Sequence, residues 1–180
     1  AVRSQNLFGK SGTFVKKLEG AFADFYGVNY AQSSTSGTAA IHVAVGAVNP
    51  NPGDEIITAP ITDPGSVMPI LMQQAVPVFA DVDPGTFNID PESVRALITP
   101  RTKAIITVSL YGLSADMDPI MEMAAEHGIT VIEDNAQCIL GTYKGRIPGG
   151  IGHMSIFSFE NSKHLATGEG GMVGTNDPAL

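Results

Sequence analysis

The chain has 180 residues, 43% of them hydrophobic and 16% charged, and a formal net charge of −8. That length can bury one sizeable core, so one domain or a large piece of one is expected, of ordinary globular composition. Ten Lys and Arg against 18 Asp and Glu exclude a general nucleic-acid binder, which needs clustered cations, but not a single phosphorylated ligand, which a helix N-terminus can hold.

Residues 1–12 are polar and glycine-containing and read as a loose N-terminal arm. Their sequence, AVRSQNLFGKSG, has no apolar h-region of the kind a signal peptide carries. From Thr13 to Tyr26 the residues Phe14, Leu18, Ala21, Phe22 and Phe25 fall on one stripe, as an amphipathic helix requires, and Gly27 ends it. Tyr30–Ser33 is a strand, Thr38–Val48 an apolar helix opening at Ser36-Gly37-Thr38, and Glu55–Thr58 a second strand. Val67–Gln74 is helical in pattern but tolerates Pro69 poorly, and Val76–Asp81 is a third strand.

Asp90–Leu97 opens with Asp at the N-cap, Pro at N1 and Glu close behind, a clear helix start. Ala104–Ser109 is a buried-strand run, Met117–His127 a helix closed by Gly128, and Ile129–Ile132 the next strand. Beyond Cys138 the pattern shortens to strands at Ile139–Tyr143, His153–Phe157 and Met172–Thr175, separated by glycine-rich turns. Cys138 is the only cysteine, so no internal disulfide can form, which fits a reducing cytoplasm. No apolar run approaches bilayer-spanning length, so neither a membrane partner nor a nucleic-acid partner is expected. Strands alternating with helices predict an α/β fold with a mostly parallel sheet covered on both faces.

Four segments carry possible chemistry. Ser36-Gly37-Thr38 presents unpaired N–H groups at a helix start, suited to a phosphate or simply to capping its own helix. Glu133-Asp134-Asn135-Ala136-Gln137 follows an apolar strand, where ligands of open α/β sheets sit. An acid there serves as a general base, a metal ligand, a ribose anchor, a partner for a cationic ring nitrogen, or an N-cap. Lys163, after Ser155–Ser162, is either a carbonyl-reactive amine or a surface lysine. Thr167-Gly168-Glu169-Gly170-Gly171 marks tight turns or close backbone approach. Neither G-x-x-x-x-G-K-[ST] nor a G-x-G-x-x-G after a leading strand occurs, so ATP and NAD sites lack their fingerprints. In order, the four segments supply what pyridoxal 5′-phosphate (PLP) chemistry requires: an anion pocket, a carboxylate for the pyridine nitrogen and a lysine amine.

The stretch Phe157-Ser158-Phe159-x-x-x-Lys163-x-Leu165-x-Thr167-Gly168-Glu169-Gly170-Gly171 resembles the signature of the DegT/DnrJ/EryC1/StrS aminotransferases. Ser36-Gly37-Thr38-Ala39-Ala40, Pro52-Gly53-Asp54-Glu55, Pro77–Asp83, Thr99–Ile105 and Tyr111-Gly112 agree with it. The resemblance implies residues 13–180 to be part of the PLP-binding large domain of a fold-type I transferase, with a C-terminal small domain not in this chain and a homodimer at full length. It implies Lys163 as the Schiff-base lysine and proton shuttle, and Asp134 as the partner of the pyridinium nitrogen. Gln137 would lie by the phenolic oxygen, with Gly37, Thr38 and Ser158 on the phosphate.

The implied activity is amino transfer from glutamate or glutamine to a keto-sugar, often nucleotide-linked, or to a keto-cyclitol. The segment alone is expected to be inactive. Alternatives are a PLP dehydratase or synthase on the same scaffold, or a non-catalytic relative with a binding or regulatory role. Dehydrating relatives carry histidine where this chain has Lys163, which favours transamination. Two departures stand out: Asp63 occupies the place of a ring-stacking aromatic, and Ser109 that of a common histidine.

Overall fold

The fold is described by a computed structural model covering residues 12–180; apart from Gly12, the expected arm lies outside the described residues. The elements are α1 (Thr13–Tyr26), β1 (Tyr30–Ser34), α2 (Gly37–Val48), β2 (Glu55–Thr58), α3 (Pro64–Met72), β3 (Val76–Phe79), α4 (Pro91–Leu97), β4 (Thr102–Val108), α5 (Met117–His127), β5 (Thr130–Asp134), β6 (Met154–Ser158) and β7 (Gly171–Thr175). The strands form one seven-stranded sheet in the order β1-β7-β6-β5-β4-β2-β3. Neighbours from β3 through β6 pair in parallel, and β7 alone runs against both β1 and β6.

Alternation along each strand sends successive side chains to opposite faces. Ile56, Ala104, Ile106, Ile132 and Ile156 pack with Ala40, Ile41, Ala44 and Val45 of α2 and with Ile70 of α3. Ile57, Ile105 and Val131 face the other way, against Val94 of α4 and Met117, Ile120 and Met123 of α5. A third cluster sets Phe22 and Tyr26 of α1 against Phe157, Phe159 and Met172. The sheet is thus covered on both faces, and β2, β4 and β5 are buried along almost their whole length for that reason.

Two expectations are corrected. Ile139–Tyr143 forms no strand; it is a bend and irregular chain that ends in one isolated bridge between Tyr143 and Arg146. Both edges of β5 are already paired, to β4 and β6, so the chain leaving β5 finds no ladder to join. It is pinned instead by Tyr26 Oη, which donates to the Ile139 carbonyl at 2.6 Å. Gly141 packs so closely that a Cβ there would lie 2.7 Å from the Gly112 carbonyl oxygen. The helix expected at Val67–Gln74 begins earlier, at Pro64. Asp63 is its N-cap, accepting the Gly65 N–H at 2.8 Å, and Pro64 stands at N1. Pro69 is held inside this short helix, which ends three residues later.

Candidate functional site

The C-terminal ends of β1, β2, β5 and β6 lie on one edge of the sheet, where open α/β sheets hold their ligands. A cleft of about 340 Å³ opens there. From the chain following β1 come Ser36, Gly37 and Thr38; from that following β2, Asp63, Gly65 and Ser66. The end of β5 gives Asp134 and the end of β6 Ser158, while the loop between β6 and β7 adds Glu160, Ser162, Lys163 and Glu169. Of the residues singled out in the sequence, Gly37, Thr38, Asp134, Ser158 and Lys163 therefore share one cavity. Gln137 is not among its lining residues; it sits half-buried in the turn after β5, its Oε1 accepting the Tyr111 N–H at 3.3 Å.

The helix α2 starts at Gly37 because Ser36 is extended and its hydroxyl accepts the Ala39 N–H at 3.0 Å. Ala40 N–H bonds the Ser36 carbonyl at 3.0 Å. The N–H groups of Gly37 and Thr38, one turn too early for an intrahelical acceptor, face the cleft end of the helix. Gly37 is required there: a Cβ at this position would fall 2.7 Å from Ser158 Cβ and 3.0 Å from Ser158 Oγ. Gly65 is similarly close to Thr38, at 2.5 Å from its Oγ1 for an added Cβ. The two glycines draw α2, α3 and β6 together into a small, N–H-rich cradle, of the kind that receives a phosphate.

Asp134, 3% exposed, ends β5. Its Oδ2 accepts the Ser66 hydroxyl at 2.7 Å and its Oδ1 the Ala136 N–H at 3.1 Å. Burial pushes its carboxyl above the ordinary range, opposed by those two hydrogen bonds and by the charge of Lys163, while Asp63 adds to the rise. A buried carboxylate in that state is short of a cation, and a pyridinium N–H is a fitting one. The backbone N–H of Ser109 donates to the Asp134 carbonyl at 3.0 Å, so this residue is also beside the site.

Lys163 is held by a loop tied at its base. Phe159 N–H donates to the Gly170 carbonyl at 2.8 Å and Thr167 N–H to the Phe159 carbonyl at 2.9 Å, while Lys163 N–H reaches the Glu160 carbonyl at 3.0 Å. Glu160 in turn accepts from the Ser162 N–H at 3.0 Å and from its hydroxyl. No group of three or more metal-ligating side chains occurs among the described residues.

Sequence reasoning missed Ser66, Gly65, Glu160 and Ser162 as lining residues. The signal for Ser66 is the Asp63-Pro64 pair, an N-cap and N1 proline that put Ser66 in the first turn of α3.

The mostly parallel sheet covered by helices on both faces is that of the large domain of fold-type I PLP-dependent transferases, and a lysine, a buried carboxylate and an N–H cradle meet at its C-terminal edge. The chain belongs to the DegT/DnrJ/EryC1/StrS aminotransferase family, whose sequence pattern matches residues 1–180. It is 47% identical over 169 residues to the GDP-perosamine synthase of Caulobacter vibrioides, covering 94% of this chain and 46% of that protein. An aminotransferase from Psychrobacter cryohalolentis superposes with a TM-score of 0.95 at 42% identity, over 99% of this chain and 45% of the other. A GDP-4-keto-6-deoxymannose-3-dehydratase superposes with a TM-score of 0.88 at 34% identity, over 92% and 45%. The chain thus spans less than half the length of each of these three proteins.

Proposed function

We propose that this chain carries the PLP site of an aminotransferase that moves an amino group from glutamate or glutamine to a keto-sugar, nucleotide-linked in the reading favoured here, or to a keto-cyclitol. The full-length protein would act as a homodimer in amino-sugar biosynthesis. The observation that carries the reading is the meeting of Lys163, Asp134, Ser158 and the α2 N-terminus in one cleft. The perosamine synthase relative supports the substrate class.

PLP, when bound, supplies a carbonyl carbon that captures amines and a ring that accepts electrons from a carbanion. The protein's share follows from its residues. Gly37 and Thr38 would give backbone N–H groups, and Ser158 its hydroxyl, to the phosphate, aided by the positive end of the α2 dipole. Lys163 Nζ would hold the cofactor's carbonyl carbon at rest. Its free amine would serve as the base that takes the proton from the substrate Cα and as the acid that returns it. Asp134 would hold the proton on the ring nitrogen, and Gln137 would offer its amide N–H to the phenolic oxygen.

The related dehydratase fold makes dehydration the second reading, and Lys163 weighs against it, because a lysine at this position closes on the cofactor. Incubating the PLP-loaded full-length protein with glutamate or glutamine separates the two. Transamination predicts stoichiometric pyridoxamine 5′-phosphate followed by amination of an added nucleotide keto-sugar. Loss of a substrate hydroxyl with no aminated product would overturn the assignment.

A further inference from the structure

Resting on the PLP reading above, we propose that Ser66, oriented by Thr62, is a positioning residue that keeps Asp134 ionised and thereby keeps the proton on the cofactor's ring nitrogen. Ser66 Oγ lies 2.7 Å from Asp134 Oδ2, and Thr62 Oγ1 lies 2.7 Å from Ser66 Oγ. With Asp134 ionised, its oxygens only accept, so Ser66 donates to the carboxylate and Thr62 donates to Ser66, a chain running one way. Ser66 is 2% exposed, so no water competes for its proton as at a surface site.

The helix does not need this hydroxyl. Asp63 already caps α3 through Oδ1, and the Ser66 N–H already bonds the Asp63 carbonyl at 3.0 Å. Ser66 sits instead between the start of α3 and the end of β5, joining the element after β2 to the acid at the cleft floor. Among the influences that oppose burial in setting the Asp134 carboxyl, its hydrogen bond is the largest, ahead of the Ala136 N–H and the charge of Lys163. The charges that reach Asp134 are Lys163 from the β6–β7 loop, which favours the anion, and Asp63 from the start of α3, which disfavours it. Without Ser66 the balance shifts toward a neutral acid, and the shared proton moves off the ring nitrogen.

The test uses the full-length protein loaded with PLP carrying ¹⁵N in the ring. In the unmutated protein the ring nitrogen resonance should be that of a protonated pyridine at neutral pH. Ser66→Ala should move it toward the neutral position and lower kcat by about 10- to 100-fold, the scale of one hydrogen bond to a charged group. Borohydride should still fix the cofactor to Lys163 in that variant. Ser66→Thr should restore the resonance, and Thr62→Val should shift it part-way. A Ser66→Ala protein that keeps its cofactor and an unchanged nitrogen resonance overturns the proposal, as does one that loses stability and cofactor while the retained fraction resonates unchanged. Failure of borohydride to fix PLP to Lys163 in the unmutated protein would instead remove the PLP reading itself.

Discussion

Lys163 is half-buried in a stretch whose other members, from Asn161 to Glu169, are all exposed. A lysine is ordinarily at the surface, and composition offers no reason to treat this one differently; its distinction comes from a loop that turns its side chain into the cleft. Asp134 is the complementary case, an acid placed by strand periodicity at the end of β5 and stripped of water. Asp134→Asn should lower kcat of the loaded full-length enzyme by about 10- to 100-fold, since an amide cannot hold the ring proton by charge. Steady-state kinetics with glutamate and a keto-sugar would read the loss.

The same acid predicts a pH effect in the cofactor-free protein. A carboxyl whose proton affinity is raised by folding contributes stability that is full below its unfolded value, about pH 4, and is lost as pH rises through its folded value. Asp134→Asn should therefore flatten the fall in stability above about pH 4, measured by urea unfolding across a pH series. An unchanged slope would show that Asp134 does not contribute to it.

At the scale of elements, α3 shows what the sequence hid. Thr62-Asp63-Pro64-Gly65 has the composition of a loop, yet Asp63 and Pro64 are an N-cap and an N1 proline, and the helix begins there rather than at Val67. A helix starting at Val67 leaves Ser66 in the preceding loop, whereas the real start puts it in the first turn, beside Asp134. Asp63, read as a departure from a stacking aromatic, has a structural occupation of its own. Asp63→Ala should cost about 0.5–2 kcal/mol, whereas Asp63→Asn keeps a good cap and should cost little; denaturant unfolding of both variants checks this.

The α2 start was legible, since Ser36-Gly37-Thr38 at the head of an apolar run is a capping pattern with free N–H groups. The reason for Gly37 was not, because it depends on Ser158, a residue 121 positions on, lying within reach of its missing Cβ. Gly37→Ala should push α2 off β6 and weaken cofactor binding, read as a rise in the Kd for PLP, with the helical content by circular dichroism kept.

For the molecule as a whole, the fold was legible where local pattern and tertiary demand agree. The buried runs of β4 and β5 reappear within two residues of their expected bounds, and the Asp90-Pro91 helix start and the Gly27 and Gly128 helix ends reappear in place. Ile139–Tyr143 failed because a strand needs a free edge, and no local signal reports that both sides of β5 are taken. Strand order, with β7 reversed between β1 and β6, is likewise invisible in periodicity, yet it lets β6 and β7 form an antiparallel pair whose connecting loop carries Lys163 over the cleft. None of the described helices is long and apolar enough to cross a membrane.

The central claim, that this cleft binds PLP through Lys163, is tested most directly by borohydride reduction of the PLP-loaded full-length protein followed by peptide mapping. The account predicts one pyridoxyl group, on the peptide containing Lys163, and its disappearance in Lys163→Ala. A pyridoxyl group on Lys103 or Lys144 instead, or labelling that survives in Lys163→Ala, would contradict it.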